Sequence, residues 1–179
     1  AGVAGDTATT GKWVRGDPIG TSSSGEEVNP ELDATPSPGV NAFMTGNGGG
    51  SAGNDDVDGG VTTLLSPRFD LSGVEAARLS YERWYALMTS LDDAFDVALS
   101  SDGGASWTAL ESLTTNQNEW TRVSHDITGL VPFTDRMQLR FQASDLNSGS
   151  LVEAAVDEVE VEVYDAEPRI HFYGPVAAG

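Results

Sequence analysis

The residues Asn54-Asp55-Asp56-Val57-Asp58-Gly59 place three carboxylates within four positions of a glycine-rich loop. Calcium takes about six to eight hard oxygen ligands, and closely spaced Asp residues with loop carbonyls can supply them. The run is not an EF-hand, because the full D-x-D-x-D-G spacing and the closing Glu are absent and no helices flank it. A solvated acidic loop is the plainer reading, and both stay open. Asp92, Asp93 and Asp96 form a second acidic group, read either as a polar strand entrance or as a second cation site.

Arg83-Trp84-Tyr85, with Arg140 and Glu153, are the candidates for a ligand-binding face. Arg83 has the parity of Tyr81 and Tyr85, which predicts a buried guanidinium needing a carboxylate. Glu153 is a candidate partner, so a structural ion pair across the sandwich competes with a second reading. In that second reading aromatic rings on a concave sheet stack on sugars while an arginine clamps an acidic group. Ser100-x-Asp102-x-Gly104-x-x-Trp107 matches the Asp-box pattern. There Asp102 would accept hydrogen bonds from turn amides, and the motif reads as hairpin architecture, since it occurs once.

Other chemistries lack residues. There is no cysteine, and the two histidines, His125 and His171, have no H-E-x-x-H spacing or second nitrogen ligand nearby. No G-x-S-x-G elbow occurs, and Gly48-Gly49-Gly50 lacks the lysine and helix of a phosphate loop. The net charge of −19, with nine cations of which only Lys12 is a lysine, opposes a phosphate backbone and disfavours nucleic acid as a partner. No apolar run approaches the ~20 residues of a membrane span. Ala1 reads as a processed or excised boundary of an exported chain.

These residues must be positioned by strands. Alternation of period two runs through Leu79, Tyr81, Tyr85 and Leu87; Phe95, Val97 and Leu99; and Met137, Leu139 and Phe141. Val159, Val161 and Val163 repeat it, with Glu158, Glu160 and Glu162 on the opposite face. Trp13-Val14-Arg15 and Val40 to Thr45 are earlier strand candidates in a loop-rich first third. Turn signals fall at Leu71-Ser72-Gly73, Asp102-Gly103-Gly104, Thr128-Gly129 and Asn147-Ser148-Gly149. The pattern predicts about eight or nine strands and no amphipathic helix, hence an all-β, two-sheet antiparallel β-sandwich of jelly-roll topology. Residues 1–164 form this domain, and 165–179 read as a tail or linker.

Several ordered segments carry a family resemblance. They are Asn41 to Gly48, Asp56 to Pro67, Phe69 to Gly73, Arg83-Trp84-Tyr85, Ser101 to Trp107, Arg140 to Asp145 and Val152 to Asp157. In order and spacing they resemble a MAM-like jelly-roll accessory domain appended to secreted bacterial hydrolases, notably zinc carboxypeptidases and other peptidases. The resemblance spans roughly Trp13 to Tyr164. It implies an extracellular, non-catalytic module, often calcium-bearing, whose partner is a neighbouring catalytic domain of the parent chain. It also implies a metal site joining an early loop to the last strand. Asp157 suits the last strand, by its parity with Val159, and Asp33 resembles a family position. The expectation is one structural Ca²⁺ held by Asp33, Asp56, Asp58 and Asp157.

The main functional expectation is therefore a calcium-stabilised accessory module of a secreted bacterial protein. A carbohydrate-binding module using Trp84, Tyr85 or Trp120 is the alternative, with glycan or an extracellular protein as partner. A glycosidase or lyase is a third reading, disfavoured by the missing motifs.

Overall fold

The computed structural model describes residues 3–89, 92–146 and 149–164, and the C-terminal segment from 165, with His171, lies outside them, as do Asn147 and Ser148 of the last turn signal. Among the described residues there are eleven strands and no helix: β1 (Trp13–Gly16), β2 (Thr21–Ser23), β3 (Glu26–Asn29), β4 (Ala42–Thr45), β5 (Gly60–Leu65), β6 (Ala76–Met88), β7 (Ala94–Ser100), β8 (Thr108–Leu113), β9 (Gln117–Asp126), β10 (Gln138–Asp145) and β11 (Leu151–Tyr164). They form a five-stranded sheet ordered β1-β4-β11-β6-β9, a four-stranded sheet ordered β5-β10-β7-β8, and the separate hairpin β2-β3. Every pairing is antiparallel, so the expected two-sheet sandwich is the observed architecture.

The core lies between the two large sheets. Leu79, Tyr81, Tyr85 and Leu87 of β6 meet Phe95, Val97, Leu99, Leu139 and Phe141 of the smaller sheet. Tyr81 packs edge-on against Phe141 at 5.3 Å between ring centres, and Phe141 stacks with Phe95 at 6.4 Å. Each such large side chain buried on folding contributes roughly 1.5–3 kcal/mol. Trp13 closes one side, its indole N–H donating to the Thr62 carbonyl at 3.2 Å.

The hairpin β2-β3 is absent from the alternation pattern, because its strands are short and polar. Ser24 (φ 54°) and Gly25 (φ 87°) take the left-handed conformation that a two-residue hairpin turn requires. The hairpin lies over the outer face of the five-stranded sheet. Val28 packs there with Met44, Trp84, Ala86 and Ala155 in a second apolar cluster. Trp84 is thereby only 5% exposed, and its indole N–H donates to the Val28 carbonyl at 2.8 Å.

Strand β11 departs from strict alternation. Its register against β6 shifts between Asp157 and Glu160, and Glu158 sits at φ 48°. Before this bulge Val152, Ala154 and Val156 point into the core; beyond it Val159 and Val163 are 44% and 56% exposed. The expectation that Val159, Val161 and Val163 all face the core is thus corrected, since only Val161 packs against it. The extra residue reverses which side chains point inward, and Asp157 consequently shares the outer face with Glu153 and Ala155.

Candidate functional site

The four residues expected to share a calcium ion fall into two groups. Asp157 Oδ2 accepts from the amides of Ala34 and Thr35 at 3.0 and 3.2 Å and from the Thr35 hydroxyl at 2.9 Å. Asp33 stands beside it, with Oδ2 shielded from solvent and without a hydrogen-bond partner. Asp56 and Asp58 lie at the other end of the sandwich, where the Val57 amide donates to the Val152 carbonyl at 2.9 Å. Val152 and Asp157 are five positions apart on β11, about 16 Å at the rise of a strand. One ion cannot bridge that span, so a single four-Asp shell is not formed.

The acidic loop itself is clasped by the backbone. The Asn47 and Gly48 amides donate to Asp55 Oδ2, each at 2.9 Å. Gly46 (φ +73°) and Gly11 (φ +61°) press directly on Asp55 and Val57, where any side chain would collide. Around this loop the end of the sandwich is dense in buried acid: Asp56, Asp93, Asp145 and Glu153 are each no more than 3% exposed. Burial first, and the Asp58 charge second, push Asp56 up to about 6. Burial pushes Glu153 up to about 9, against one hydrogen bond from the Thr45 hydroxyl at 3.1 Å. Asp93 accepts from the Leu146 amide through Oδ1, while its Oδ2 and the Tyr85 hydroxyl are buried without hydrogen-bond partners. Among the described residues, no three acidic or imidazole side chains converge as a preformed metal shell.

Arg83 is buried, as its parity implies, but its partner is Glu111 and not Glu153. Arg83 Nε donates to Glu111 Oε1 at 2.8 Å, and Nη1 donates to Gln117 Oε1 at 2.7 Å. The Tyr81 hydroxyl donates to Glu111 Oε2 at 2.8 Å and lies 3.1 Å from His125 Nε2. Glu111 comes from β8 and Arg83 from β6, so this ion pair ties the two sheets together. Glu153 projects from the opposite face of the five-stranded sheet, where the strand's alternation places it with Trp84 and Ala86. Trp84 and Tyr85 are 5% and 0% exposed, so neither ring offers a face to a ligand. His125 is spent on the Tyr81 contact, with burial lowering its basicity.

Of the candidates for ligand contact, Arg140 is the one placed on an open surface. It lies on the outer face of the four-stranded sheet, with its guanidinium 4.7 Å above the Trp107 ring. Gln138 and Gln142 flank it at alternate positions of β10, and all four line one open depression of about 440 Å³ with Arg68. Trp107 is held there by the turn before it. The Asp102 carboxylate accepts from the amides of Ala105 and Ser106, each at 2.9 Å, and from the hydroxyls of Ser100 and Ser106 at 2.8 and 2.6 Å. These bonds hold Asp102 well below the usual carboxylate range, led by the Ser106 hydroxyl. The Asp-box pattern gives Trp107 only as part of a structural hairpin. The missed signal is its register beside outward-facing Arg140 and Gln138, which no local pattern reveals.

A second concavity of about 390 Å³ lies between Trp120, Trp84, Leu32 and Pro30. Trp120 donates its indole N–H to the Leu32 carbonyl at 2.8 Å and meets Trp84 edge-on at 6.1 Å. Its ring anchors the loop after β3, and fewer polar groups face this hollow than the other.

No family model matches the chain, and no curated protein does. Several solved structures are similar to it. One is TmCBM61 in complex with β-1,4-galactotriose, at 11% identity and a TM-score of 0.45, covering 70% of this chain and 72% of that one. Another is a family 16 carbohydrate binding module, at 12% identity and a TM-score of 0.43, covering 78% of this chain and 87% of that one. A third is the K2 cleaved adhesin domain of Lys-gingipain, at 18% identity and a TM-score of 0.39, covering 89% and 99% respectively. The fold assignment rests on the strand pairing itself.

Proposed function

We propose that this chain is a non-catalytic glycan-binding module and that the outer face of its four-stranded sheet is the binding surface. The observation that carries the reading is the juxtaposition of Trp107, Arg140, Gln138 and Gln142 around one open depression. A sugar presents an apolar ring face and a rim of hydroxyls. An aromatic ring with planar amide and guanidinium groups at fixed register matches both features. Gln138, Arg140 and Gln142 stand on β10 and Trp107 is held by the turn before β8, so little ordering entropy is lost on binding. The resemblance to accessory jelly rolls of secreted bacterial hydrolases supports an extracellular setting, in which the module holds a neighbouring catalytic domain near its polymer.

Trp107→Ala is expected to lower affinity for a bound oligosaccharide by more than about tenfold, as central aromatic anchors do. Its melting temperature should stay near that of the wild type. Titration calorimetry against an oligosaccharide panel checks this, and a Trp107→Ala protein that still binds every ligand of the wild type would sink the reading.

A second reading concerns calcium, and it draws on a separate observation. The unpartnered Asp93 Oδ2 and Tyr85 hydroxyl lie buried at the acid-rich end, where the Asp93 and Asp145 charges both bear on Tyr85. A buried carboxylate oxygen without a donor, as Asp93 Oδ2 is, is costly, and a hard divalent cation removes that cost. Asp93 and Asp145, with the Tyr85 oxygen and nearby loop carbonyls, would hold it, and the ion would lock the loops around β5, β7 and β11. Calcium at a hundredfold excess over its dissociation constant then adds about 2.7 kcal/mol of stability. Scanning calorimetry with calcium and with chelator should show this gain, and Asp93→Asn should remove it. If Asp33→Asn removes it and Asp93→Asn does not, the ion sits with Asp157 instead.

A further inference from the structure

Three of the nine cationic side chains in this acidic protein meet around one turn. Arg68 Nη2 donates to the Gly103 carbonyl at 2.9 Å, and the Arg136 carbonyl accepts from the Gly103 amide at 2.9 Å. The guanidinium groups of both approach the Gly103 Cα so closely that a side chain there would meet Arg136 Nη2 at 2.9 Å and Arg68 Cζ at 3.0 Å. Arg140, on Trp107, lines the same depression as Arg68. The ion pairs of the described residues involve Arg78, Arg83 and Arg122, and none of these three.

The acids around the depression make no ion pair with them. Asp6, which lines it, has Oδ2 engaged by the amides of Val3 and Thr63, each at 3.1 Å. Asp102 is turned into its own loop by the amides and hydroxyls of Ala105 and Ser106. Asp96, on β7 beside Arg140, is the acid whose charge Arg140 feels, yet it makes no ion pair with it. In a chain of net charge −19, unpaired arginines gathered beside an open aromatic site are an unusual use of scarce cations. Arg68 and Arg140 set guanidinium N–H donors, without an ion-pair partner among the described residues, on the rim of the depression.

We infer that this depression selects a carboxylate-bearing glycan, a polyuronate, through Arg140 and Arg68 beside the Trp107 ring. The inference rests on the glycan-binding reading above and adds the class of sugar. A guanidinium presents a planar fork that matches a carboxylate with two parallel hydrogen bonds, which an uncharged hydroxyl cannot reproduce. Arg68 is held by its bond to Gly103 and Arg140 by its ring, so both forks are positioned before a ligand arrives. A sugar ring over this site would put its apolar face toward the indole and an exocyclic carboxylate toward the arginines.

The test is affinity electrophoresis and calorimetry with polygalacturonate, alginate and glucuronoxylan, each beside its carboxyl-reduced form. At least one polyuronate should bind, and reducing its carboxylates should weaken binding by about tenfold or more. Arg140→Gln should reproduce that loss on the native polymer and weaken the reduced polymer by a much smaller factor; Trp107→Ala should weaken both alike. Arg68→Gln is the second variant, should Arg140→Gln melt early. Equal affinity for native and reduced polymer, or undiminished uronate binding by both arginine variants, overturns the inference while the glycan-binding reading stands. Binding to none of these polymers or to any neutral glycan overturns both. Binding to poly-glutamate without any glycan would mark an acidic-peptide site and overturns both as well.

Discussion

Glu153→Gln is expected to stabilise the protein at pH 8 by a few kcal/mol and to flatten its stability between pH 5 and 9. Glu153 is 3% exposed, and burial, with Asp56 and Asp55 nearby, raises it from 4.5 to about 9. Below pH 4.5 the folded and unfolded chains both carry the proton, and the side chain costs nothing in charge. Above 4.5 the unfolded chain releases the proton while the folded chain keeps it until about pH 9. The unfolded state therefore binds fewer protons, and folding stability falls by about 1.4 kcal/mol per pH unit across that window. Asp56, raised from 3.8 to about 6, adds a loss of the same sign between those values. Glutamine keeps the shape and still accepts from Thr45 without the proton linkage. Urea unfolding at several pH values measures the difference, and parallel profiles for the two proteins would show that Glu153 does not govern the slope.

Arg83→Leu is expected to cost about 3–5 kcal/mol, the cost of leaving one partner of a buried ion pair uncompensated. Side chains of Arg83 and Glu111 are 6% and 16% exposed, and Glu111 also accepts from Tyr81. Removing the guanidinium strands a carboxylate between the sheets. The paired change Arg83→Leu with Glu111→Leu should recover most of the loss, because no charge is then buried. Denaturant unfolding of the double-mutant cycle reads this directly. A mild loss in Arg83→Leu, or no recovery in the pair, would place the stabilisation elsewhere. Affinity of the remote Trp107 site should be unchanged in every variant that folds.

How much was legible follows from the physics of each element. The long strands β6, β7 and β10 announce themselves because one face is buried, and period-two hydrophobicity is the direct trace of that burial. The hairpin β2-β3 leaves no such trace, since its strands are three and four residues long and mostly polar. Its turn residues Ser24 and Gly25 were in view, but a Ser-Gly pair marks many loops. In β11 the alternation was real and the inference from it failed past Asp157. A bulge changes parity without changing composition, so Asp157 stands on the outer face although Val161 beyond it packs against the core.

The candidate site divides along the same line. That Arg83 is buried and needs a carboxylate follows from parity and electrostatics within one strand. That the carboxylate is Glu111 depends on which strand of the opposing sheet faces it, a matter of topology. Acidity and scarce cations are properties of composition, open to inspection in one dimension. The meeting of Arg68, Arg136 and Arg140 around Gly103 and Trp107 is not, because these residues lie on separate segments aligned by the pairing of β10 with β5 and β7. Sequence by itself determined the all-β class, the sandwich and the lack of thiol chemistry, since burial pattern and residue type are local. Only the tertiary structure decided which aromatics are open, how the acids divide between two ends, and where the unpaired arginines gather. Those are distances between strands far apart in the chain, set by the packing of one sheet on another.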